Sequence, residues 1–378
     1  AVNSEQTLIA AQDDNRNDWS YSAYGQMEYS LGSHWRFVGA GRYDDGDLYQ
    51  AQLSPKAAIV YSPNPNHSIR ATINRAFLTP STLEFFVRFP ATAPADFGPL
   101  EAALRASPLG PALSGVPNGA LFTTSSSVPV LVLGNPNLKV EHVTSLELGY
   151  KGQVGRRVYL ALDAYYSRFS DFVTDILPGV NPTYAPWTAP AAVPGNVAPI
   201  LEQAVRDALA AGGQPVAAAG LTRLPDGSTA VVLSVGNAGR VEEYGLEPSI
   251  GIRLGSGISV EANYSFVHSD LDAASLAPGQ VLLPNTSPHQ ANLAIAYSTW
   301  PVDVRGSLHW VAGFDWASGI YQGYIPPSTT LDLATNVHLT DHLSAQAIVT
   351  NLLDQKRYHI FGGAVIGRRA LVGMTVRH

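Results

Sequence analysis

The connections between the predicted strands constrain this fold more than any other feature of the sequence. About thirteen runs alternate apolar and polar residues, with starts near residues 19, 35, 54, 67, 140, 156, 230, 258, 288, 301, 327, 343 and 366. Short connections such as 31–34 and 62–67 alternate without interruption with longer ones, among them 44–52, 78–139 and 175–229. In an up-and-down barrel every second connection emerges on the same side. This order therefore predicts short turns on one side of a barrel and long extracellular loops, about 78–139 and 175–229, on the other.

The length and composition of the runs favour a membrane barrel over a soluble sheet. Each run spans roughly 9–20 residues, whereas a tilted membrane strand needs only about 9–11 and soluble strands average about 5–6. Charged residues make up 14% of the chain, against about 25% in a typical soluble domain. No stretch approaches the roughly 20 apolar residues of a membrane helix. We predict an all-β, transmembrane, antiparallel up-and-down β-barrel.

Two sets of side chains are placed along the strands as a membrane barrel would require. Charged residues have the parity opposite to their apolar neighbours and predict a wet interior face, because charge facing lipid is costly. They are Arg36, Arg42, Lys56, Arg70, Glu147, Asp163, Glu247, Arg253, Glu261, Asp303, Arg305, Asp332, Arg369 and Arg377. Aromatic residues near strand ends predict girdles at the two membrane interfaces. They are Trp19, Tyr21, Trp35, Tyr43, Tyr61, Tyr150, Tyr166, Tyr297, Trp300 and Trp310.

The sequence offers little for catalysis, cofactors or metals. There is no cysteine, and the net charge of −7 argues against nucleic-acid binding. Asp44-Asp45-Gly46-Asp47 resembles part of a calcium loop but lacks the distal glutamate, so a strand connection is favoured over a weak calcium site. Glu242 and Glu243 fall on opposite faces of one strand, which argues against acid–base catalysis by the two carboxylates together. We predict no enzyme activity, no cofactor and no metal site.

The two longest loops carry the residues that could bind a ligand. Each contains a helical pattern, at 98–105 and 199–209, that could cap the barrel mouth or merely tie down its loop. Aromatic side chains in the loop regions suit stacking and apolar contact with a small ligand such as a metal chelate or a glycan. Each is equally able to pack within its own loop. The candidates are Phe85, Phe86, Phe89, Tyr184, Trp187, Trp316, Tyr321 and Tyr324.

A series of short motifs resembles one family in order along nearly the whole chain. They are Ser54-Pro-Lys, Arg75-Ala-Phe77, Gly134-Asn-Pro-Asn-Leu138 with Glu141, Ser145-Leu-Glu-Leu-Gly-Tyr150, Asn237, Tyr244-Gly-Leu-Glu247, Pro284-Asn-Thr-Ser-Pro288 with His289, Asn351-Leu-Leu-Asp354 with Tyr358, and Gly367-Arg-Arg369. Each is weak alone, but their order and spread make the set specific. The chain resembles the C-terminal part of the barrel of TonB-dependent outer-membrane receptors.

The resemblance implies TonB-dependent uptake of a scarce ligand, such as a ferric siderophore, cobalamin or an oligosaccharide, across the bacterial outer membrane. The partners it implies are outer-membrane lipid and, through a plug region, the TonB inner-membrane complex. Such receptors have about 22 strands and a plug, whereas this chain supplies about thirteen strands and no plug. The family usually ends in an aromatic residue, where this chain has His378. We therefore expect an incomplete barrel from a longer receptor.

Two other functions remain open at this point. A passive porin-like channel would share the barrel but lack TonB coupling. A surface adhesin-like barrel would use the long loops to bind other cells rather than to take up a ligand.

Overall fold

The computed structural model describes residues 17–122, 127–181, 183–272, 281, 283–318, 321–360 and 362–376. Arg377 and His378, which figure in the sequence predictions, lie outside these residues. In chain order the strands are β1 Ser20–Leu31, β2 Trp35–Gly46, β3 Tyr49–Asn64, β4 His67–Leu78, β5 Arg88–Asp96, β6 Ser127–Leu133, β7 Glu141–Val154, β8 Val158–Val173, β9 Leu177–Pro178, β10 Ala185–Pro186, β11 Leu221–Arg223, β12 Thr229–Ser234, β13 Asn237–Gly255, β14 Ile258–Leu271, β15 His289–Thr299, β16 Val302–Val311, β17 Phe314–Ser318, β18 Tyr321–Ile325, β19 Ser328–His338, β20 Leu343–Thr350 and β21 Arg369–Val376. The helices are α1 Thr82–Phe86, α2 Gly98–Ala106, α3 Ala198–Ala211 and α4 Pro215–Gly220, with one 3-10 turn at Gly110–Leu113.

Thirteen strands form one antiparallel sheet, as the alternation predicts. Its order is β1-β2-β3-β4-β7-β8-β13-β14-β15-β16-β19-β20-β21, so each strand pairs with the next membrane-length strand along the chain. The sheet is open, with β1 and β21 at its edges. The predicted up-and-down barrel wall and its incompleteness are both confirmed. We call the end with the short connections the turn side and the opposite end the loop side.

The strand register gives the sheet two chemically different faces. In one row Arg70 pairs with Gly149, Gly149 with Asp163 and Asp163 with Glu247, so these side chains share a polar face. In a neighbouring row Ile73, Leu146, Tyr166 and Tyr244 share an apolar face. All the predicted interior charges within the described strands fall on the polar face. Because charge is expelled from lipid, the polar face lines the barrel interior and the apolar face meets the membrane.

Aromatic residues on the apolar face cluster near both ends of the strands. Trp35 lies 4.5 Å from Tyr61 between ring centroids at the turn side, and Trp35 and Tyr61 are also register partners. Near the loop side Tyr49 contacts Phe77, and Tyr244 contacts Phe266. This arrangement matches the two predicted interfacial girdles.

The structure corrects two predicted boundaries. The connection predicted at 44–52 is a tight turn, because β2 runs to Gly46 and β3 starts at Tyr49, with Gly46 and Tyr49 paired in register. The strand predicted to start near 230 belongs elsewhere: Thr229–Ser234 pairs outside the barrel wall, and the wall strand begins at Asn237. The second long loop therefore runs to residue 236. Within the described residues, no helix has the length and apolar character needed to cross a bilayer.

Candidate functional site

The two long loops fold together into one compact unit on the loop side. We call it the loop body and define it as the described parts of 79–140 and 174–236. A second sheet, in the order β10-β11-β12-β6-β5, joins the loops, and β9 pairs with β12. Strand β6 of the first loop runs parallel to β12 of the second, with Val130 opposite Val231. Backbone hydrogen bonds therefore hold the two loops to each other.

The largest described hydrophobic cluster of the loop body packs against this sheet. Its fully buried members come from both loops: Phe97, Leu104, Leu113, Val116, Leu121, Phe122 and Val128 from the first, and Trp187, Val193, Leu201, Val205, Leu209, Ala217, Leu221 and Val231 from the second. The helices α2 and α3 supply part of it and match the helical patterns predicted at 98–105 and 199–209. Both helices therefore pack into a shared core, as in the tie-down alternative left open by the sequence.

Three asparagines tie the ends of the two loops to each other and to the top of the barrel wall.

 Asn135 donates from Nδ2 to the carbonyl of Val235 at 3.1 Å, and Asn181 donates to Ser234 Oγ at 2.9 Å. Asn237 donates to the carbonyls of Lys139, at 3.0 Å, and Asp171, at 2.7 Å. These bonds join the returning ends of both loops at the top of β7, β8 and β13. The motifs at 134–138 and 237 that carried the family resemblance therefore have a structural role here.

The eight aromatic residues predicted to contact a ligand lie in several separate surroundings rather than around one site. Phe85 and Trp187 are 3% and 2% exposed and pack in hydrophobic clusters, so packing within the loop accounts for them. Tyr184 is half-buried against a second small cluster, which contains Leu224 and Val232. Phe86 packs beside Phe85, and Phe89 lines an apolar crevice with Val132 and Leu133.

The remaining three candidates lie on a separate hairpin formed by β17 and β18. Tyr321 and Tyr324 are 67% and 54% exposed, and Trp316 pairs in register with Gly323. The two tyrosines are thus the most accessible members of the predicted set. Ligand contact by any of the eight residues stays a prediction.

A cavity that the sequence did not single out opens at the loop side of the polar face. It has a volume of about 450 Å³ and lies between the upper ends of β8, β13 and β14 and the segment 283–285. We call it the mouth cavity. Phe169, Val241 and Leu271 form its apolar wall, and Glu243 and Asp175 bring carboxylates to it. The sequence could have indicated one of its lining residues, because strand alternation places the Glu243 side chain on the polar face and that of Glu242 on the outward face.

Below the mouth cavity the polar face carries a network of charged and amide side chains. Arg70 lies 3.4 Å from both Glu147 and Asp163. Farther along the sheet, Asn292 donates to Asn263 at 2.7 Å and contacts His309, which lies 3.5 Å from Asp332. Arg305 pairs with Glu261 at 2.8 Å. The wall is thus polar from strand to strand and can present hydrogen-bonding groups to anything inside the barrel.

Loop-side carboxylates outside the membrane strands have ordinary structural partners. The backbone N–H of Arg368 and the ammonium group of Lys356 both donate to Asp354, and these bonds hold the pKa of Asp354 below its usual value.

 The hydroxyl and the backbone N–H of Ser228 lower the pKa of Asp226 in the same way, at the β11–β12 turn. Both carboxylates are anchored by neighbours within their own turns. Among the described residues, no group of three or more His, Asp or Glu side chains is arranged to hold a metal ion.

The open antiparallel wall, its two faces and its loop-side body define an outer-membrane β-barrel. Residues 2–352 match the family described as TonB dependent receptor-like, beta-barrel, and the chain belongs to that family. Members of this family are receptors and transporters of the outer membrane rather than enzymes, and the chain is accordingly placed in the bacterial outer membrane.

The relatives are longer than this chain. An iron-regulated outer membrane virulence protein of Vibrio cholerae serotype O1 is 22% identical over 371 residues, which are 94% of this chain and 44% of the relative. The chain thus spans about half the length of the curated relatives it matches.

Solved structures share the fold at low sequence identity. The siderophore receptor PirA from Acinetobacter baumannii aligns with a TM-score of 0.61 and 15% identity, over 94% of this chain and 45% of that one. A mutant of the ferric enterobactin receptor PfeA from Pseudomonas aeruginosa gives 0.60 and 13%, over 95% and 45%. The copper transporter OprC gives 0.59 and 14%, over 95% and 49%. At this identity the likeness establishes the barrel fold alone.

Proposed function

We propose that this chain forms part of the barrel of an outer-membrane receptor that takes up a ferric siderophore in a TonB-dependent manner. In this proposal the loop side faces the outside of the cell, where the loop body and the mouth cavity meet the ligand first. The polar face surrounds a plug, through which the TonB inner-membrane complex supplies energy.

One observation supports the proposal more than any other. The loops on one side of the barrel wall are folded around a core of their own, beside a cavity that opens onto the polar interior. Binding residues lie disproportionately on loops that a rigid scaffold positions. The names of the relatives point to iron and siderophores: the Vibrio protein is iron-regulated, and two of the structural neighbours are siderophore receptors.

Uptake of radioactive iron tests the proposal directly. The whole receptor that contains this chain would be produced in a bacterial host that lacks its own siderophore receptors. We expect cells to accumulate iron from at least one ferric siderophore, and accumulation to stop when TonB is deleted or the proton gradient is collapsed. Empty-vector cells are the control.

Two other outcomes would replace the proposal. Free conduction by the intact protein in planar bilayers, with uptake independent of TonB, would identify a passive porin-like channel. Binding to other cells without uptake of any chelate would identify an adhesin-like barrel.

A further inference from the structure

The mouth cavity combines an apolar wall with negative charge. Phe169, Val241 and Leu271 project into it from three adjacent barrel strands, and Leu283 and Pro284 close one side. Among the described residues that line it, the charged ones are Glu243 and Asp175, and none is Lys, Arg or His. A ligand in this cavity therefore meets hydrocarbon and the carboxylate of Glu243.

Glu243 brings a carboxylate to the cavity from β13. It is half-buried, and Ser269 Oγ donates to its Oε2 at 3.1 Å. No ion pair to Glu243 is present among the residues that the structure describes. A hydroxyl hydrogen bond solvates a carboxylate but does not neutralise it, so the charge acts on whatever enters the cavity.

The polar face below the cavity extends the same negative potential. Glu247 on β13 is the register partner of Asp163 on β8, and Glu147 lies on the next strand, β7. Arg70 is shared between Glu147 and Asp163, and at the rim Lys139 lies 3.7 Å from Asp171. Both of these cations are engaged with carboxylates, and on the polar face of β7, β8 and β13 carboxylates outnumber basic side chains.

We propose that the mouth cavity selects a neutral or cationic ligand with an apolar portion, and that Glu243 is the residue that sets this preference. The inference rests on the proposed uptake function and adds the charge class of the ligand to it. A carboxylate in a half-buried cavity attracts a positive group and repels a negative one, and water screens the interaction less there than at an open surface. A polyanionic chelate would have to enter against this repulsion.

Three ferric chelates of graded charge test the inference with the whole receptor. The probes are a trianionic tris-catecholate, a neutral trihydroxamate and a trihydroxamate that carries one free ammonium group. Equilibrium binding to purified receptor and uptake by cells are both measured. We expect the neutral or cationic probe to bind at least about tenfold more tightly than the trianionic one, with the preference shrinking as salt is raised.

Glu243→Gln removes the charge while keeping the shape of the side chain. We expect it to reduce the preference for the cationic over the trianionic probe by about tenfold. Glu242→Gln is the matched control, because this neighbour has the same chemistry but faces outward beside Arg168. A heat-modifiability gel confirms that both variants are folded in the membrane.

The outcomes separate this inference from the uptake function. If the trianionic chelate binds as tightly as the others, or if Glu243→Gln and Glu242→Gln behave alike, uptake stands and the charge inference is wrong. If no chelate binds or enters, the proposed function fails and the inference fails with it.

Discussion

At the scale of single residues, one buried ion pair organises much of the first long loop. Glu101 is 3% exposed and accepts hydrogen bonds from the backbone N–H groups of Gly119, at 2.9 Å, and Leu121, at 3.2 Å. Arg105, one helical turn later, donates to Glu101 at 2.7 Å and to the carbonyls of Leu113 and Val116. The pair thus supplies hydrogen-bond partners for backbone N–H and C=O groups between residues 113 and 121, which follow α2.

Removal of Glu101 should therefore loosen the first loop. Glu101→Ala leaves Arg105 without its carboxylate and two backbone N–H groups without acceptors, which typically costs about 3–5 kcal/mol for a buried pair. We expect native-state hydrogen exchange to show local opening of residues 98–122 that is easier by about this free energy.

Asp207→Ala provides the matched control for that measurement. Asp207 accepts a hydrogen bond from Gln203 at 2.8 Å, also one turn away on a helix, but on an exposed surface. An exposed pair contributes about 0.2–0.5 kcal/mol, so protection should hardly change. Equal effects of the two variants would contradict the role assigned to Glu101.

At the scale of elements, α3 shows how the core couples the two loops. Leu201, Val205 and Leu209 lie four residues apart on one face and are buried in a cluster with Phe97 and Leu104 from the first loop. Hydrophobic contacts of this kind depend on both partners being in place. The stability of either loop therefore includes a contribution from the other.

Leu201→Ala tests this coupling. A buried Leu→Ala substitution costs about 2–5 kcal/mol, because it removes apolar contacts and leaves a cavity. We expect hydrogen-exchange protection to fall in the first loop, in 98–122, as well as around the mutated helix. The adjacent Ile200 is 59% exposed, so Ile200→Ala should change protection little. A loss confined to α3 would show that the loops are stable independently.

The elements also show which parts of the structure can be predicted from sequence. Barrel strands and the two loop helices follow from local periodicity, because the pattern of apolar residues within each segment reports its own exposure. The sheet of the loop body could not be predicted in this way. Its β6–β12 ladder joins Val130 to Val231 across two barrel strands, and the buried run Thr229–Ser234 has no alternation to separate it from β13. Similarly, no local signal marks Trp187 as buried, since its partners come from distant segments.

At the scale of the whole molecule, the two faces of the wall give neighbouring residues opposite environments. Ile250 lies on the apolar face, in register with Leu160 and Ala262, whereas Ser249 lies on the polar face opposite Asn263. Ile250 therefore faces lipid, and the adjacent Ser249 faces the barrel interior.

Arginine substitutions at these two positions should have different consequences. Ile250→Arg puts a charge among lipid chains, which costs about 2–4 kcal/mol near the middle of a bilayer. Ser249→Arg puts the same side chain on the wet face, where we expect little loss. The folded fraction in membranes, measured by heat-modifiability in urea, should fall for Ile250→Arg alone. Comparable losses would mean that the assignment of the two faces is wrong.

The parallel pairing of β6 with β12 also affects the order in which the molecule can fold. Strand β6 precedes β7 and β8 in the chain, but its partner follows them, so the contact spans about 100 residues, from Val130 to Val231. Long-range contacts of this kind form slowly, because a large loop must be closed before they stabilise anything. Most barrel strands pair with a strand close by in sequence, and the exceptions, β4–β7 and β8–β13, each close one long loop rather than both loops together. We therefore expect the barrel wall to assemble first. The two loops then fold together, after β7 and β8 are in place.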